Sequence, residues 1–365
     1  MSLIKPQTHQ RITRSGLTAL DRDLASPGLT LYAPMFGDGQ VFLLDVEGVE
    51  VHRWDLPYPP GLYGYLLPSG NLFYMGKVKD DTWDRFPQWK RFKGGVMMEV
   101  DWNGNVLWEH RDPDHHHDAR RTASGGAVYL AAERVPKHTA ERVQGGALDS
   151  DQDDMWADIV VEVDSNGDRI WEWHAHEHMD FETDVITFND PRDEWSHANT
   201  VVPLDDKRVM VSFRNTSTVG IIDRDSGDFV WKLGYDVLAQ QHDPSILDND
   251  NVLIFDNGAH RKNDARTASR VIEVNPETNE IVWEYRDQPV FNFYSPYISG
   301  ARRLPNGNTL ITEGNFGRMF QITPDGQVVW EYINPYYPKD SDGAQNNAVF
   351  RANHYMPEDM PGLKM

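Results

Sequence analysis

Six times along the chain a β-forming run, a turn built from Asp, Asn or Gly and a second short run close on a tryptophan. The segments are VFLLDVEGVEVHRW to Trp54, VMMEVDWNGNVLW to Trp108, IVVEVDSNGDRIW to Trp171, VGIIDRDSGDFVW to Trp231, VIEVNPETNEIVW to Trp283 and MFQITPDGQVVW to Trp330. Each reads as a β-hairpin, because the turn residues tolerate positive φ and the flanking alternation of apolar and polar residues suits half-buried strands. A second hairpin pattern lies between them: YLLPSGNLFYM (65–75), TASGGAVYLA (122–131), VPLDDKRVMVS (202–212), ILDNDNVLIF (246–255) and RLPNGNTLIT (303–312). Two hairpins make a four-stranded blade, and a recurring unit of this size fixes the architecture ahead of any local detail.

Five blades are complete. A sixth has three strands at about residues 29–55 and lacks its first, which VFRANHYM (349–356) can supply. The chain is therefore expected to be all-β, a six-bladed β-propeller whose last blade is closed by N- and C-terminal strands, leaving no open sheet edge. The expected organisation is an N-terminal extension at 1–28, the propeller at 29–356 and a C-terminal tail at 357–365. The repeated Trp is expected to pack between neighbouring blades. Three segments exceed the repeat unit, Lys77 to Arg91, Glu133 to Trp156 and His176 to Trp195, and loops of that length without periodicity in a compact fold are usually functional covers or disordered insertions.

Composition narrows the partners. A formal charge of −22 over 365 residues opposes nucleic-acid and anionic-lipid binding, which need a cationic face. No apolar run is long enough for a membrane span. With no cysteine, thiolate metal sites, thiol nucleophiles and disulfides are all excluded. Met1 to Ala25 shows no apolar stretch of a secretion signal, so a cytoplasmic location is expected, or a periplasmic one had a leader been removed.

In a propeller, equivalent positions of the innermost strands converge on the axis. Counting back seven residues from the turn residues Ser124, Asn249 and Asn306 reaches His117, His242 and Ser299, and His197 lies eight before Asp205, an offset that a small bulge absorbs. Three imidazoles and a hydroxyl are thus expected near one place. Asn199 follows in HANT and Arg214 in the next strand, VSFRN; Arg offers a planar fork of donors suited to a tetrahedral oxyanion. His116 is a reserve candidate beside His117. His174, His176 and His178 alternate along what reads as one strand face and can bind a metal at a rim. His260 and His354 are candidates for the same mouth as the axial group, and Tyr63, Phe293, Tyr294 and Tyr297 for holding an aryl ring.

At these residues the sequence resembles the arylsulfate sulfotransferase family, six-bladed propellers that move sulfuryl groups between phenols. The resemblance runs from Gly28 to Tyr337 and is densest from DEWSHANTVV through VSFRNTSTVGIIDRDSGDFVWKLG to QHDPSILDNDNVLIFDNG. It implies that His242 is the nucleophilic histidine, that His197, Asn199 and Arg214 form the sulfate-binding group, and that His117 matches a further histidine. Ser299 stands where the family has a threonine. The characterised bacterial enzymes are periplasmic and use a disulfide, which a chain without cysteine does not share.

The expected activity is sulfuryl transfer from a phenolic sulfate ester to a phenol-type acceptor through a sulfohistidine on His242, with Arg214, His197, Asn199 and His117 binding the sulfuryl oxygens and no cofactor. The expected partner is a small anionic or aryl substrate. One alternative is a lyase or hydrolase with a divalent metal on His117, His197 and His242, since three convergent imidazoles with an open position also form metal sites. A second is a non-enzymatic propeller that binds an anion or a partner on one face.

Overall fold

The hairpin units fold into six antiparallel sheets in a computed structural model that describes residues 14–86, 88–147, 154–262, 264, 266–340 and 342–360. The chain begins with β1 (Gly16–Leu20), β2 (Leu29–Pro34), β3 (Gln40–Leu44) and β4 (Glu50–Asp55). Blade 1 is β5 (Pro60–Leu66), β6 (Leu72–Lys77), β7 (Gly95–Val100) and β8 (Val106–Arg111), and blade 2 is β9 (His115–Arg121), β10 (Ala127–Arg134), β11 (Trp156–Val163) and β12 (Arg169–His174). Blade 3 comprises β13 (Ala198–Pro203), β14 (Arg208–Phe213), β15 (Thr218–Asp223) and β16 (Phe229–Leu233); blade 4 comprises β17 (His242–Ile246), β18 (Val252–Asp256), β19 (Arg270–Val274) and β20 (Ile281–Tyr285). Blade 5 is β21 (Gly300–Arg303), β22 (Thr309–Glu313), β23 (Arg318–Ile322) and β24 (Val328–Ile333), and the last strand is β25 (Val349–Tyr355). Among the described residues no helix is long and apolar enough to cross a membrane.

The sixth blade has the order β25-β2-β3-β4, with Leu29 opposite Tyr355 and Pro34 opposite Val349. The two ends of the chain thus share one sheet and close the ring, as the incomplete repeat required. Part of the segment assigned to an N-terminal extension also joins the fold. β1 pairs with β24 as a fifth strand of blade 5, from Gly16 opposite Ile333 to Leu20 opposite Trp330. Its apolar residues Leu17 and Leu20 pack on the cluster containing Trp330 and Tyr332, and burial of that apolar surface gives a local reason for the strand to dock.

The repeated tryptophans tie each blade to the next through their indole N–H. Nε1 of Trp54 donates to Asp101 O at 3.0 Å, Trp108 to Ser165 O at 3.2 Å and Trp171 to Arg224 O at 3.1 Å. Trp231 donates to Asn279 Oδ1 at 2.8 Å, Trp283 to Pro324 O at 3.1 Å and Trp330 to Val46 O at 2.8 Å, which completes the circle. Each acceptor sits in the last hairpin turn of the following blade. The tryptophan is therefore both an apolar spacer and a donor that fixes the angle between sheets.

The first strands meet around the axis, and a polar plug fills its centre. Arg351, fully buried on β25, donates to Tyr63 Oη at 3.0 Å, Asp118 Oδ2 at 3.1 Å, Asn199 O at 2.7 Å and Thr200 Oγ1 at 2.7 Å, and its Nε lies 3.2 Å from Asp243 Oδ1. Arg302 grips the same Asp243 with both terminal nitrogens, and Arg120 pairs with Asp118 at 3.1 Å. Buried charges persist only when paired and hydrogen-bonded, and here all six blades supply partners to one another.

Candidate functional site

Above the plug the inner strands are irregular. His117 and His197 have φ of 51° and 52°, Asp243 has 55°, and Ile298 and Ser299 have 54° and 93°. The pairing register shifts at the corresponding places of blades 2, 3 and 4. The bulge expected for His197 alone is thus a repeated feature, and it turns side chains that would lie along the strand toward the axis.

A cavity of about 400 Å³ opens here, and His117, His197, His242 and Arg214 all line it. The long insertions supply much of the rest, with Gln88, Arg91 and Phe92 from the first and Asp190, Pro191 and Glu194 from the third. Phe92 stacks on His117 at 4.5 Å between ring centroids and meets His197 edge-on at 4.8 Å; the two imidazoles lie 4.9 Å apart. Aromatic contact on this scale leaves little freedom to the rings it touches.

His242 is held at both nitrogens. Nδ1 lies 2.8 Å from Asn257 Oδ1, while the Asn257 amide nitrogen donates to Ser295 O and Ile298 O at 2.8 and 2.9 Å. Those two acceptors oblige the amide to present its oxygen to the ring, so Nδ1 carries the proton and Nε2 the lone pair. The Ile298 N–H donates to that Nε2 at 3.2 Å. Burial pushes the His242 pKa well below the usual histidine range against the opposing Asn257 hydrogen bond, and Arg214 and Arg351 push it the same way as burial.

The two other imidazoles of the cavity wall, His117 and His197, are also neutral near pH 7. Burial, then the charge of Arg214, takes His197 down to about 4, and burial with its histidine neighbours takes His117 well below its ordinary value. His197 Nδ1 lies 2.6 Å from Glu194 Oε2. Burial, then Asp158, raises Glu194 well above the usual carboxylate range, so this pair holds a proton without carrying net charge. His116 sits one layer behind, its Nδ1 2.7 Å from His117 Nδ1 and its Nε2 3.0 Å from Asp158 Oδ1.

Arg214 Nη1 donates to Asp190 Oδ1 at 2.9 Å and to Asn215 Oδ1 at 3.0 Å, and Nη2 donates to Gln240 Oε1 at 3.1 Å. The charge of Arg214 is therefore already matched by Asp190, and an incoming anion competes with that carboxylate for it.

Other expected residues fall outside the cavity wall. Asn199 donates its amide hydrogen to Gln241 O at 2.8 Å and accepts from Thr200 Oγ1 at 2.9 Å, which makes it a link between blades 3 and 4. Ser299 is buried and its Oγ accepts the Gly314 N–H at 3.0 Å. Of the aromatic candidates, Tyr297 lines the cavity, whereas Tyr63 belongs to the plug and Phe293 to a core cluster. His354 lines a second cavity of about 430 Å³ at the opposite end of the axis, together with Arg120 and Arg302, and His260 packs against Phe188.

For metal binding, the described residues contain one group of three whose ligand atoms lie within 4.8 Å of one another, Glu133, His174 and His176. His117, His197 and His242 do not converge to that spacing. His178 does not share a strand face with His174 and His176, because the chain turns into a single helical turn at Ala175–His178 and His178 stacks on Trp173 at 5.4 Å. Sequence reasoning left Asn257, Asp190, Glu194 and Phe92 unassigned. Asn257 stands within the Phe-Asp-Asn-Gly element of the family resemblance, whereas nothing local marks Asp190 or Phe92.

Several solved structures resemble the chain. The chain aligns with a protein of unknown function from Bacteroides caccae at a TM-score of 0.54 and 14% identity, covering 90% of this chain and 98% of that one. It is also similar to a streptogramin B lyase, at a TM-score of 0.47 and 12% identity over 93% of each chain, and to BamB from Moraxella catarrhalis, at 0.40 and 12% over 94% and 98%. No curated protein matches it in sequence. The sequence profile described as Arylsulfotransferase (ASST) matches residues 88–335, which contain His117, His197, Arg214, His242 and Asn257. With the greater part of its length matched and the axial histidines inside the match, the chain belongs to the arylsulfotransferase family.

Proposed function

We propose that this propeller transfers a sulfuryl group from a phenolic sulfate ester to a phenol-type acceptor through a covalent sulfohistidine on His242. The observation that carries the reading is the fixed tautomer of His242. A neutral imidazole with its proton committed to Asn257 has a lone pair on Nε2, the condition for a nitrogen nucleophile near neutral pH.

In the first half-reaction Nε2 gives up the Ile298 N–H and attacks sulfur. The N–S bond forms as the S–O bond to the aryl group breaks, and its electron pair leaves on the phenolate oxygen. The ring becomes a cation that keeps its Nδ1 proton on Asn257 Oδ1. Arg214 and the imidazoles of His117 and His197 stabilise the sulfuryl oxygens, with Arg214 exchanging Asp190 for the substrate. The Glu194–His197 pair holds a proton that can pass to the departing phenolate. In the second half-reaction the acceptor oxygen attacks sulfur, the N–S pair returns to Nε2, and the acceptor's proton restores the Glu194–His197 pair. Asn199 and Ser299 contribute by holding inner strands in place.

The experiment is single turnover with a chromogenic aryl sulfate. One equivalent of phenol should be released in a burst without acceptor, and a sulfuryl group should be found on His242 by peptide mass analysis. His242→Ala should release none. Native turnover in His242→Ala would overturn the covalent route.

A further inference from the structure

The Glu133, His174 and His176 group lies outside the axial cavity, and the proposed transfer makes no use of it. Strand register explains how it forms. Glu133 of β10 is opposite Ala157 of β11, and Ile159 of β11 is opposite His174 of β12. Residues 157 and 159 share a face of β11, so Glu133 and His174 point to the same side of blade 2 across the small side chain of Ala157. The helical turn at Ala175–His178 then brings His176 back over them. His174 Nδ1 lies 2.8 Å and His176 Nε2 3.3 Å from the same oxygen, Glu133 Oε1.

All three side chains are mostly covered. The group offers one carboxylate oxygen and two ring nitrogens, and these atoms all lie within 4.8 Å of one another. The unused Nε2 of His174 lies 3.7 Å from Glu172 Oε2. Glu172 thus adds a second carboxylate near the group, beyond hydrogen-bond reach of the ring.

We propose that Glu133, His174 and His176 form a binding site for one divalent transition-metal ion, zinc by preference, that clamps two of the three long insertions, 133–156 and 176–195, at their roots. Two imidazole nitrogens and one carboxylate oxygen are a tetrahedral zinc set with one position left for water. Glu133 is the last residue but one of β10, from which one insertion departs, and His174 ends β12 just before the other, which carries His176 and delivers Asp190 and Glu194 to the cavity wall. A metal here stiffens the frame of the cavity from outside it.

The test is calorimetric titration of zinc chloride into full-length protein that has been dialysed against chelator and then freed of it, with native mass spectrometry for stoichiometry. One zinc should bind per chain. His176→Ala and Glu133→Gln should each weaken binding by at least about tenfold, and zinc should raise the melting temperature of the native chain but not of the His174→Ala/His176→Ala double variant. Because these side chains sit at the rim, melting in the presence of chelator should be nearly equal for all forms, and His117→Ala should bind zinc as the native chain does. The proposal is overturned if the native chain takes up no zinc, if the double variant still binds it with native affinity, or if His117→Ala abolishes binding.

Discussion

Replacing Asn257 by Asp exchanges an amide for a carboxylate of the same size, and the consequences separate stability from chemistry. Asn257 Nδ2 donates to Ser295 O and Ile298 O, and Oδ1 accepts from His242 Nδ1. A carboxylate cannot donate, so both carbonyls lose this donor. At about 1–3 kcal/mol for each buried group left short of a hydrogen bond, stability should fall by roughly 2–5 kcal/mol. Ser269 Oγ, 3.3 Å from Ser295 O, softens the loss at that carbonyl. The imidazole responds in the opposite sense. A negative charge at hydrogen-bond distance favours the imidazolium, so the His242 pKa rises from its depressed position. Each unit gained corresponds to about 1.4 kcal/mol and about tenfold fewer neutral rings at any pH below the new pKa. Aryl sulfate turnover by Asn257→Asp should therefore be slowed most at low pH and recover as pH rises, while the native rate shows no such limb from His242. The assay is kcat against pH for both proteins, with imidazole proton resonances followed by NMR and stability read from urea melts. A variant that is destabilised as expected but retains the native rate and pH profile would refute the assignment of Nε2 as the nucleophile in a tautomer set by Asn257.

Asp190→Asn should leave Arg214 without its charged competitor and tighten sulfate or aryl sulfate binding by about tenfold, read from KM and from sulfate inhibition; unchanged KM would mean that Arg214 does not meet the anion. Trp330→Phe keeps a ring between blades 5 and 6 but deletes the donor to Val46 O and part of the buried bulk, and urea melts should show a loss of about 2–4 kcal/mol with the fold intact. Acid should destabilise the chain through its buried histidines. The folded pKa values of His115, about 3, and of His117 and His242 lie below the ordinary unfolded value near 6.5. Their contribution is present above about pH 6.5 and is lost as pH falls toward those folded values, because the unfolded chain binds protons that the folded chain refuses. Glu194 acts in the opposite sense, its raised pKa favouring the folded state as it protonates. Melting temperature followed from pH 7 to pH 4 should fall; a level profile would contradict the neutral state of these rings.

The features legible in the sequence are those set by local chemistry. Strand alternation, turn residues and the repeated Trp recur within short windows, so blade number, strand order and the pairing of Leu29–Pro34 with Val349–Tyr355 follow from one repeat unit. Alignment of the repeats also brought His117, His197 and His242 to one cavity, because equivalent positions of a ring converge whatever their side chains. Ser299 was aligned equally well and Asn199 stands two residues beyond His197, yet their polar atoms are engaged between strands. A backbone position can be counted from a turn, whereas the direction of a side chain within a bulge depends on neighbours from other blades.

Tertiary structure alone decided the rest. Asp190, Glu194 and Phe92 come from insertions that have no repeat to align, and they reach the axis only because the propeller fixes where each insertion begins and ends. The match of Arg214 by Asp190 and the plug around Arg351 join residues far apart in sequence, so no local pattern announces them. β1 likewise sits in a stretch with no repeat signature and becomes a strand by docking on β24. The sequence by itself determined the ring and which positions face its axis, since both rest on periodicity and turns. Tautomer, charge and pairing at the axis were decided by packing, since desolvation and hydrogen-bond geometry exist only once six blades have closed around them.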